Sequence, residues 1–527
     1  MPGYEGSSAS ELGVNSAGVA SFIVFGKLFS IVVGGLTFIV VARLLGPSNY
    51  GIYTIAVGLA GFIGAFGSIS LGQYLNKYIP ELSLKGEKER ISNILGVSLL
   101  ITLLFSLIVM LIGLAFVKQI LLFFFHSTTT SLIIYVALLD IIISALYGYA
   151  GNTLISFADG KNTAISQIIN NSFQAAFSIS LVLLGYGALG ALVGTLVGLF
   201  IGLIYQFDRL LRHSKIVFNI AKFGSEARKI LTFSVPLTVS GIFGSVINNF
   251  SVLYLSLLFM PSVVGLYGVA SKIGVYIDLV TGSISAVLIP MFSAALVNKK
   301  IKDGISKLYS YTIYFGFLFA LPIVIYISIF SKALVISVFT STYIDAPLYI
   351  ALIGIGILLG LVASYASSLV ISAGYVKKVF KFGILASIIQ LASFLVLIPF
   401  FGVNGLIVSI YYIGSIVGDI FYIRFIRSEL KLRLEFNLSR LVAANAVLLL
   451  FFIPIAMLGI KATYQLLLGL LIFVFLYPML LGVFKAISMK ELSLLKRIAD
   501  RLPVFGSWLG AIIIYAEFFQ RDKDEIQ

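Results

Sequence analysis

Fourteen apolar runs, each long enough to cross a lipid bilayer, follow one another through this chain with only short polar joints between them. About 20 apolar residues of helix cover a hydrocarbon core of roughly 30 Å. Lipid offers no water to the backbone, so each run must satisfy its own peptide groups as a helix. The spans read at 18–44, 50–75, 92–117, 132–157, 163–185, 188–207, 230–258, 263–292, 308–335, 348–373, 382–400, 404–423, 441–460 and 464–484. The prediction is an all-α integral membrane protein of about 14 transmembrane helices. No joint is long enough to hold a folded domain, so the work of the chain is expected within the bilayer. The composition agrees, with 60% hydrophobic and 11% charged residues, where a soluble domain carries roughly 25% charged.

Lys and Arg set the orientation. With the N-terminus in the cytoplasm, the inside segments are 76–91, 158–162, 208–229, 293–307, 374–381, 424–440 and 485–527, and they hold 30 of the 36 basic residues. The outer connections and nearby span ends hold Arg43, Lys118, Lys332 and Lys461; Lys27 and Lys272 lie within spans. The net charge of +15 is therefore a cytoplasmic-face charge suited to anionic lipid headgroups rather than to nucleic acid. Residues 1–16 carry Glu5 and Glu11 and no Lys or Arg, unlike the basic start of a cleaved signal peptide. Both termini are expected in the cytoplasm, with the chain spanning the cell membrane many times.

The chain also repeats itself. Pro47-Ser48-Asn49-Tyr50-Gly51-Ile52-Tyr53-Thr54-Ile55-Ala56 returns as Pro261-Ser262-Val263-Val264-Gly265-Leu266-Tyr267-Gly268-Val269-Ala270, both fitting P-S-x-x-G-x-Y-x-x-A at an offset of 214. Tyr149-Ala150 with Ile155-Ser156 recurs as Tyr365-Ala366 with Ile371-Ser372, Gln174 maps to Gln390, and Gly187 and Gly190 map to Gly402 and Gly405. Collinear matches at one near-constant offset mark a duplicated half. Six spans per half is an even number, so both halves insert the same way up, and the fold expected is two six-helix lobes related by a pseudo-two-fold axis along the membrane normal. The domains read as 1–210 and 211–428 for the lobes, 429–484 for helices 13 and 14, and 485–527 for a cytoplasmic amphipathic tail. The tail's apolar run from Trp508 to Tyr515 is too short to span and is expected along the interface.

Arg43-Leu44-Leu45-Gly46-Pro47-Ser48-Asn49-Tyr50-Gly51-Ile52-Tyr53 after the first span, and Val264-Gly265-Leu266-Tyr267-Gly268-Val269-Ala270 leading to a helix that ends near Pro290, resemble the polysaccharide flippases of the MATE / multidrug-oligosaccharidyl-lipid-polysaccharide exporter superfamily. The resemblance extends over roughly the first 425 residues. It implies flipping of a polyprenyl-phosphate- or pyrophosphate-linked oligosaccharide from the cytoplasmic to the outer leaflet, for cell-surface polysaccharide or glycoprotein assembly. Partners on that reading are membrane lipids, the lipid-linked oligosaccharide and glycan-assembly enzymes. The lipid II flippase branch of the superfamily places cations on its first, second and eighth helices, of which Lys27 and Lys272 match the first and eighth.

A charge in hydrocarbon costs roughly 2.5 to 3.5 kcal/mol on insertion scales, so a Lys within a span asks for a wet cavity or a counter-charge. Lys27, Lys272 and, at the outer edge, Arg43 are the candidate phosphate-binding cations. Asp278 and Asp140 are candidates for charge pairing or for ion or proton coupling, while Asp419 lies near Arg424 at a cytoplasmic end and suggests a local ion pair. Asn170, Asn171, Gln174, Asn248, Asn249 and Gln390 place hydrogen-bonding groups inside spans, for sugar hydroxyls or for bonds between helices. Cysteine is absent and histidine occurs only as His126 and His213, so no thiol chemistry or zinc site is expected. No G-x-x-x-x-G-K-[ST] loop occurs, and the one Asp-x-Asp, Asp522-Lys523-Asp524, falls among the last polar residues. A transporter without metal or cofactor is expected rather than an enzyme. The alternative is an ion-coupled multidrug exporter of MATE type, against which Lys27 argues.

Overall fold

Every regular element among the described residues is a helix. The computed structural model describes the chain apart from residues 1–8, 68–70, 126–130, 219, 298–303, 433–437, 488–491, 493–495, 497–505 and 521–527. In chain order the helices are α1 Ala9–Gly67, α2 Leu71–Leu84, α3 Lys88–Ala115, α4 Val117–Ile120, α5 Ser131–Ser156, α6 Gly160–Leu181, α7 Gly187–His213, α8 Ile220–Leu258 and α9 Pro261–Val297. They continue as α10 Ile305–Ile329, α11 Ser331–Leu334, α12 Ala346–Ser372, α13 Val376–Ile407, α14 Gly414–Ser428, α15 Ser439–Met457, α16 Ala462–Val483 and α17 Gly506–Gln520. His126 and the Asp522-Lys523-Asp524 stretch lie outside the described residues.

Ten helical stretches among the described residues are long and apolar enough to cross a membrane. Three of them, Gly26–Gly67, Gly160–His213 and Val376–Ser428, each hold two expected spans end to end. The backbone is broken inside each at a glycine in the left-handed region: Gly46 at φ 68, Gly185 at φ 91 and Gly402 at φ 56. The seventh expected span falls on α8. Among the described residues all fourteen spans thus fall on helices, and the connections between these paired spans are kinks rather than loops. At Gly46 the cause is local: Pro47 has no N–H to continue the first arm and a ring that suits the first position of the next.

The duplication is written into the backbone. Gly187 at φ 54, ψ −137 and Gly402 at φ 56, ψ −131 share one conformation. α4 and α11 each lead into a wider π-helical turn, Leu121–Phe125 and Val335–Phe339, at the same spacing. The repeated motif itself forms a reciprocal contact. A Cβ at Gly51 would run into the Pro261 carbonyl oxygen, and a Cβ at Gly265 into that of Pro47. Each copy offers a bare glycine to the first carbonyl of the other, and only that lets two backbones come so near.

Contacts divide the chain into two compact units, Met1–Gly268 with Phe394–Leu406, and Val269–Ser393 with Ile407–Gln527. In the first unit α6 lies along α7 and α1, and a cluster of Leu75, Ile79, Ile91, Leu95, Leu154, Leu210 and Ile230 ties α2, α3, α5, α7 and α8 together at one end. In the second, α10 packs on α12, and Phe330, Leu441, Leu448 and Phe452 gather α10, α15 and α16. The tail helix α17 docks on α16: Ile513 and Ala516 are buried, and Ala516 lies against the bare backbone at Gly482.

Gly51→Ala is expected to lower the melting temperature of the detergent-purified protein, with an overpacking cost of roughly 3 kcal/mol. Gly148→Ala, where an added Cβ meets nothing within 4 Å, should be neutral or stabilising by up to about 1 kcal/mol. Equal melting of the two variants would refute the close approach.

Candidate functional site

Polar side chains inside the first unit concentrate on α6, which carries Gln167, Asn170, Asn171 and Gln174. Its neighbour α7 presents Gly194, Gly198 and Gly202 in one stripe, and these admit α6 closely: a Cβ at Gly198 would stand 2.6 Å from the Asn170 carbonyl oxygen. With the backbones so near, the amides reach across. Asn171 Nδ2 donates to Ser30 Oγ of α1 at 2.9 Å, and Gln174 Nε2 to Thr195 Oγ1 of α7 at 3.2 Å. Tyr53 OH lies 3.4 Å from the same Thr195 oxygen, and Gln206 Nε2 donates to Ser166 Oγ at 2.8 Å. Bonds of this kind average about 0.6 kcal/mol in a membrane, so their gain is mostly in fixing helix register.

Among the described residues the network leaves acceptors over. Asp140 Oδ1, Gln167 Oε1, Asn170 Oδ1 and Gln206 Oε1 are buried with no hydrogen-bond partner. Asp140, on α5, lies near Tyr53. The Tyr147 hydroxyl is unpartnered there too, and an interior with both donors and acceptors left over suits water, which can serve each.

At one end of α6 and α7 the network meets a histidine–aspartate pair. Asp159 caps α6 by accepting from the Asn162 N–H at 3.1 Å, and His213 Nε2 donates to its other oxygen at 2.6 Å. The His213 ring stacks on Phe157, with centroids 5.3 Å apart. Burial of Asp159 works to raise its pKa, but the bonds from His213 and Asn162 outweigh it and hold the carboxyl at about 2. A depressed carboxyl stabilises the fold above the ordinary carboxylate range, and that contribution fades as pH falls toward 2. Nearby, Glu226 at the start of α8 is buried between Lys229, at 3.0 Å, and Arg90 of α3, at 3.6 Å.

The cations and acids of the sequence stand as follows. Lys27 and Arg43 on α1 are exposed, as are Lys272 and Asp278 on α9. Asp278 interacts with Tyr365 of α12. Asn248 is exposed, whereas Asn249 donates to the Ser245 carbonyl at 2.8 Å and sits against Gly61. Gln390 donates to the Ile410 carbonyl at 2.7 Å, the counterpart of the Gln174 bond in the other copy. Asp419 and Arg424 do not form the expected ion pair: five positions apart misses the three- or four-residue spacing that brings helix side chains together, and Asp419 Oδ1 has no hydrogen-bond partner among the described residues. Sequence reasoning passed over Tyr53, Thr195, Asp159 with His213, and Glu226 with Arg90. A spacing of 142 residues between Tyr53 and Thr195 carries no local signal.

A multi-span helical bundle with duplicated halves and a polar interior is the architecture of a membrane transporter. The structure of the lipid II flippase MurJ in an inward closed conformation matches it with a TM-score of 0.69 at 14% identity, over 87% of this chain and 98% of that one. An inward-facing multidrug resistance MATE family transporter of the MOP superfamily matches at 0.63 and 16% identity, over 76% and 95%. The MATE multidrug transporter DinF-BH in complex with R6G matches at 0.54 and 15% identity, over 81% and 98%. At these identities the likeness is one of fold. No curated protein matches the chain by sequence. The family model for polysaccharide biosynthesis proteins matches residues 18–296, more than half of the chain, and the chain belongs to that family.

Asp159→Ala removes both the cap and the hydrogen bond to His213, and is expected to cost roughly 1 kcal/mol for the cap alone. Asp159→Asn keeps a capping oxygen and should recover part of the loss in thermal melts at neutral pH. An Asn variant as unstable as the Ala variant would show that the cap contributes nothing.

Proposed function

We propose that this protein is a flippase that moves a polyprenyl-phosphate- or pyrophosphate-linked oligosaccharide from the cytoplasmic to the outer leaflet by alternating access, in assembly of cell-surface polysaccharide or glycoprotein. The observation that carries the reading is membership of the polysaccharide biosynthesis family in a chain whose membrane helices bear exposed cations, Lys27, Arg43 and Lys272. Each offers point-charge or hydrogen-bond recognition of phosphate. We assign the six-helix lobes to 1–210 and 211–428, and place both termini in the cytoplasm, since 30 of the 36 basic residues fall on that side. The membrane is the cell's plasma membrane.

Asp140 and Asp278 are proposed as coupling or charge-pairing groups. For Asp140 the support is its unpartnered buried oxygen. Asn248, exposed on α8, is the amide best suited to meet a sugar. For Asn170, Asn171, Gln174, Asn249 and Gln390 a sugar contact would have to compete with the packing and the helix-to-helix bonds described above. Glycan-assembly enzymes are the proposed partners. An exporter of cationic drugs shares the fold, and Lys27 speaks against it because a cation repels that cargo.

Lys272→Ala is expected to reduce translocation of a fluorescent polyprenyl-linked oligosaccharide in reconstituted vesicles to the protein-free background, with membrane insertion intact. Lys272→Arg should retain part of it. Wild-type transport by the Ala variant would remove Lys272 from the mechanism. Mass spectrometry of lipid-linked glycans that accumulate when the protein is removed should identify the cargo, and no accumulation would count against a flippase.

A further inference from the structure

One side of α14 borders an open groove of about 570 Å³ that no part of the proposed transport cycle uses; its lining includes Ile416, Ile420 and Ile423, with Arg424 and Arg427 toward the end of the helix and Asp419 deeper along it. We propose that this groove holds the headgroup of an anionic phospholipid, with its phosphate on Arg424 and Arg427 and the upper part of an acyl chain along the isoleucines. The site is independent of what the protein transports.

Three observations converge on it. First, Arg424 and Arg427 are exposed neighbours one turn apart, and among the described residues neither has an acidic partner within ion-pair distance. Like charges so placed repel, and a shared phosphate, which guanidinium binds bidentately, turns that repulsion into attraction. Second, the order along the helix is that of a lipid in a leaflet. From Ile416 to Arg427 is about 16 Å of helix, roughly half a hydrocarbon core, with the apolar side chains leading and the cations at the end that joins the basic segment 424–440. Third, the end of α14 is held rigid. The Phe425 ring packs between Tyr375, at 5.2 Å, and Phe382, at 5.8 Å, and Lys378 Nζ lies 5.9 Å from its centroid.

Asp419 decides between two lipids that share a phosphate. It lies five residues, roughly 7.5 Å, deeper than Arg424, and its Oδ1 is unpartnered. Below the phosphate of a phospholipid lies the glycerol level, inside an interfacial layer about 5–8 Å thick per leaflet, where water reaches a carboxyl. A polyprenyl phosphate would put hydrocarbon there and strand the acid. Free inorganic phosphate would leave the isoleucine wall empty.

Native mass spectrometry of the full chain in detergent, titrated with phosphatidylglycerol and phosphatidylcholine, tests this. The tightest lipid adduct should favour phosphatidylglycerol at least tenfold. The double variant Arg424→Gln with Arg427→Gln should lose that preference, and Ile420→Trp, which adds bulk to the groove without changing charge, should weaken the adduct. A preference that survives in both variants overturns the proposal. Displacement of phosphatidylglycerol by a tenfold lower concentration of undecaprenyl phosphate would also overturn it, by giving the site to the transported lipid. Transport by the Lys272 variants is read separately, so failure here leaves the flippase reading standing.

Discussion

Helices in lipid gain little by hiding apolar surface from one another, because the acyl chains are as apolar as they are. What holds them is close packing, and packing is closest where a glycine lets one backbone touch another. Gly51 against Pro261 and Gly265 against Pro47 are the extreme case in this chain. The same device sets α7 against α6 at Gly194, Gly198 and Gly202, and α17 against α16 at Gly482. Paired spans meet at Gly46, Gly185 and Gly402, where a left-handed backbone turns the chain within a few residues. Remove these glycines and the helices would remain, but not their spacing.

On this frame the two copies have parted in chemistry while keeping their backbone. Gln174 and Gln390 make the same cross-helix bond, one to the Thr195 hydroxyl and one to the Ile410 carbonyl. The charges inside the spans are not repeated. At the repeat offset, Lys27 and Asp140 correspond to Gly241 and Gly356, and Lys272 and Asp278 correspond to Gly58 and Gly64. Where one copy carries a charge, the other carries a residue with no side chain. At Gly58 that absence admits Val252, and at Gly356 it admits Tyr411. A duplicated scaffold can thus keep its packing while each half carries charges of its own.

The amides show how the medium decides a role. In water Asn171, Gln174 and Gln390 would be solvated and weakly placed. Inside the bilayer their N–H groups must find acceptors, and a facing helix is the nearest supply. Asp159 with His213 is the counterpart near the surface, where a mostly buried histidine–carboxylate hydrogen bond and a helix cap tie the start of α6 to the end of α7.

The spans, their helical state, the charge bias and the duplication were legible from the residues alone. Each rests on a rule that acts along the chain: hydrocarbon thickness, satisfaction of the backbone, the distribution of Lys and Arg, and an offset between like motifs. The repeated P-S-x-x-G-x-Y-x-x-A stretch could be found that way, but not that its two copies would clasp each other, since a pattern does not say which backbone a bare glycine will meet. Nor could the chain order show that Thr195 would stand between Gln174 and Tyr53, that Asp419 would miss Arg424, or that Asp140 would keep an oxygen free of bonds. Those outcomes depend on distances of a few ångströms between segments far apart in the chain, and only the packed helices fix them.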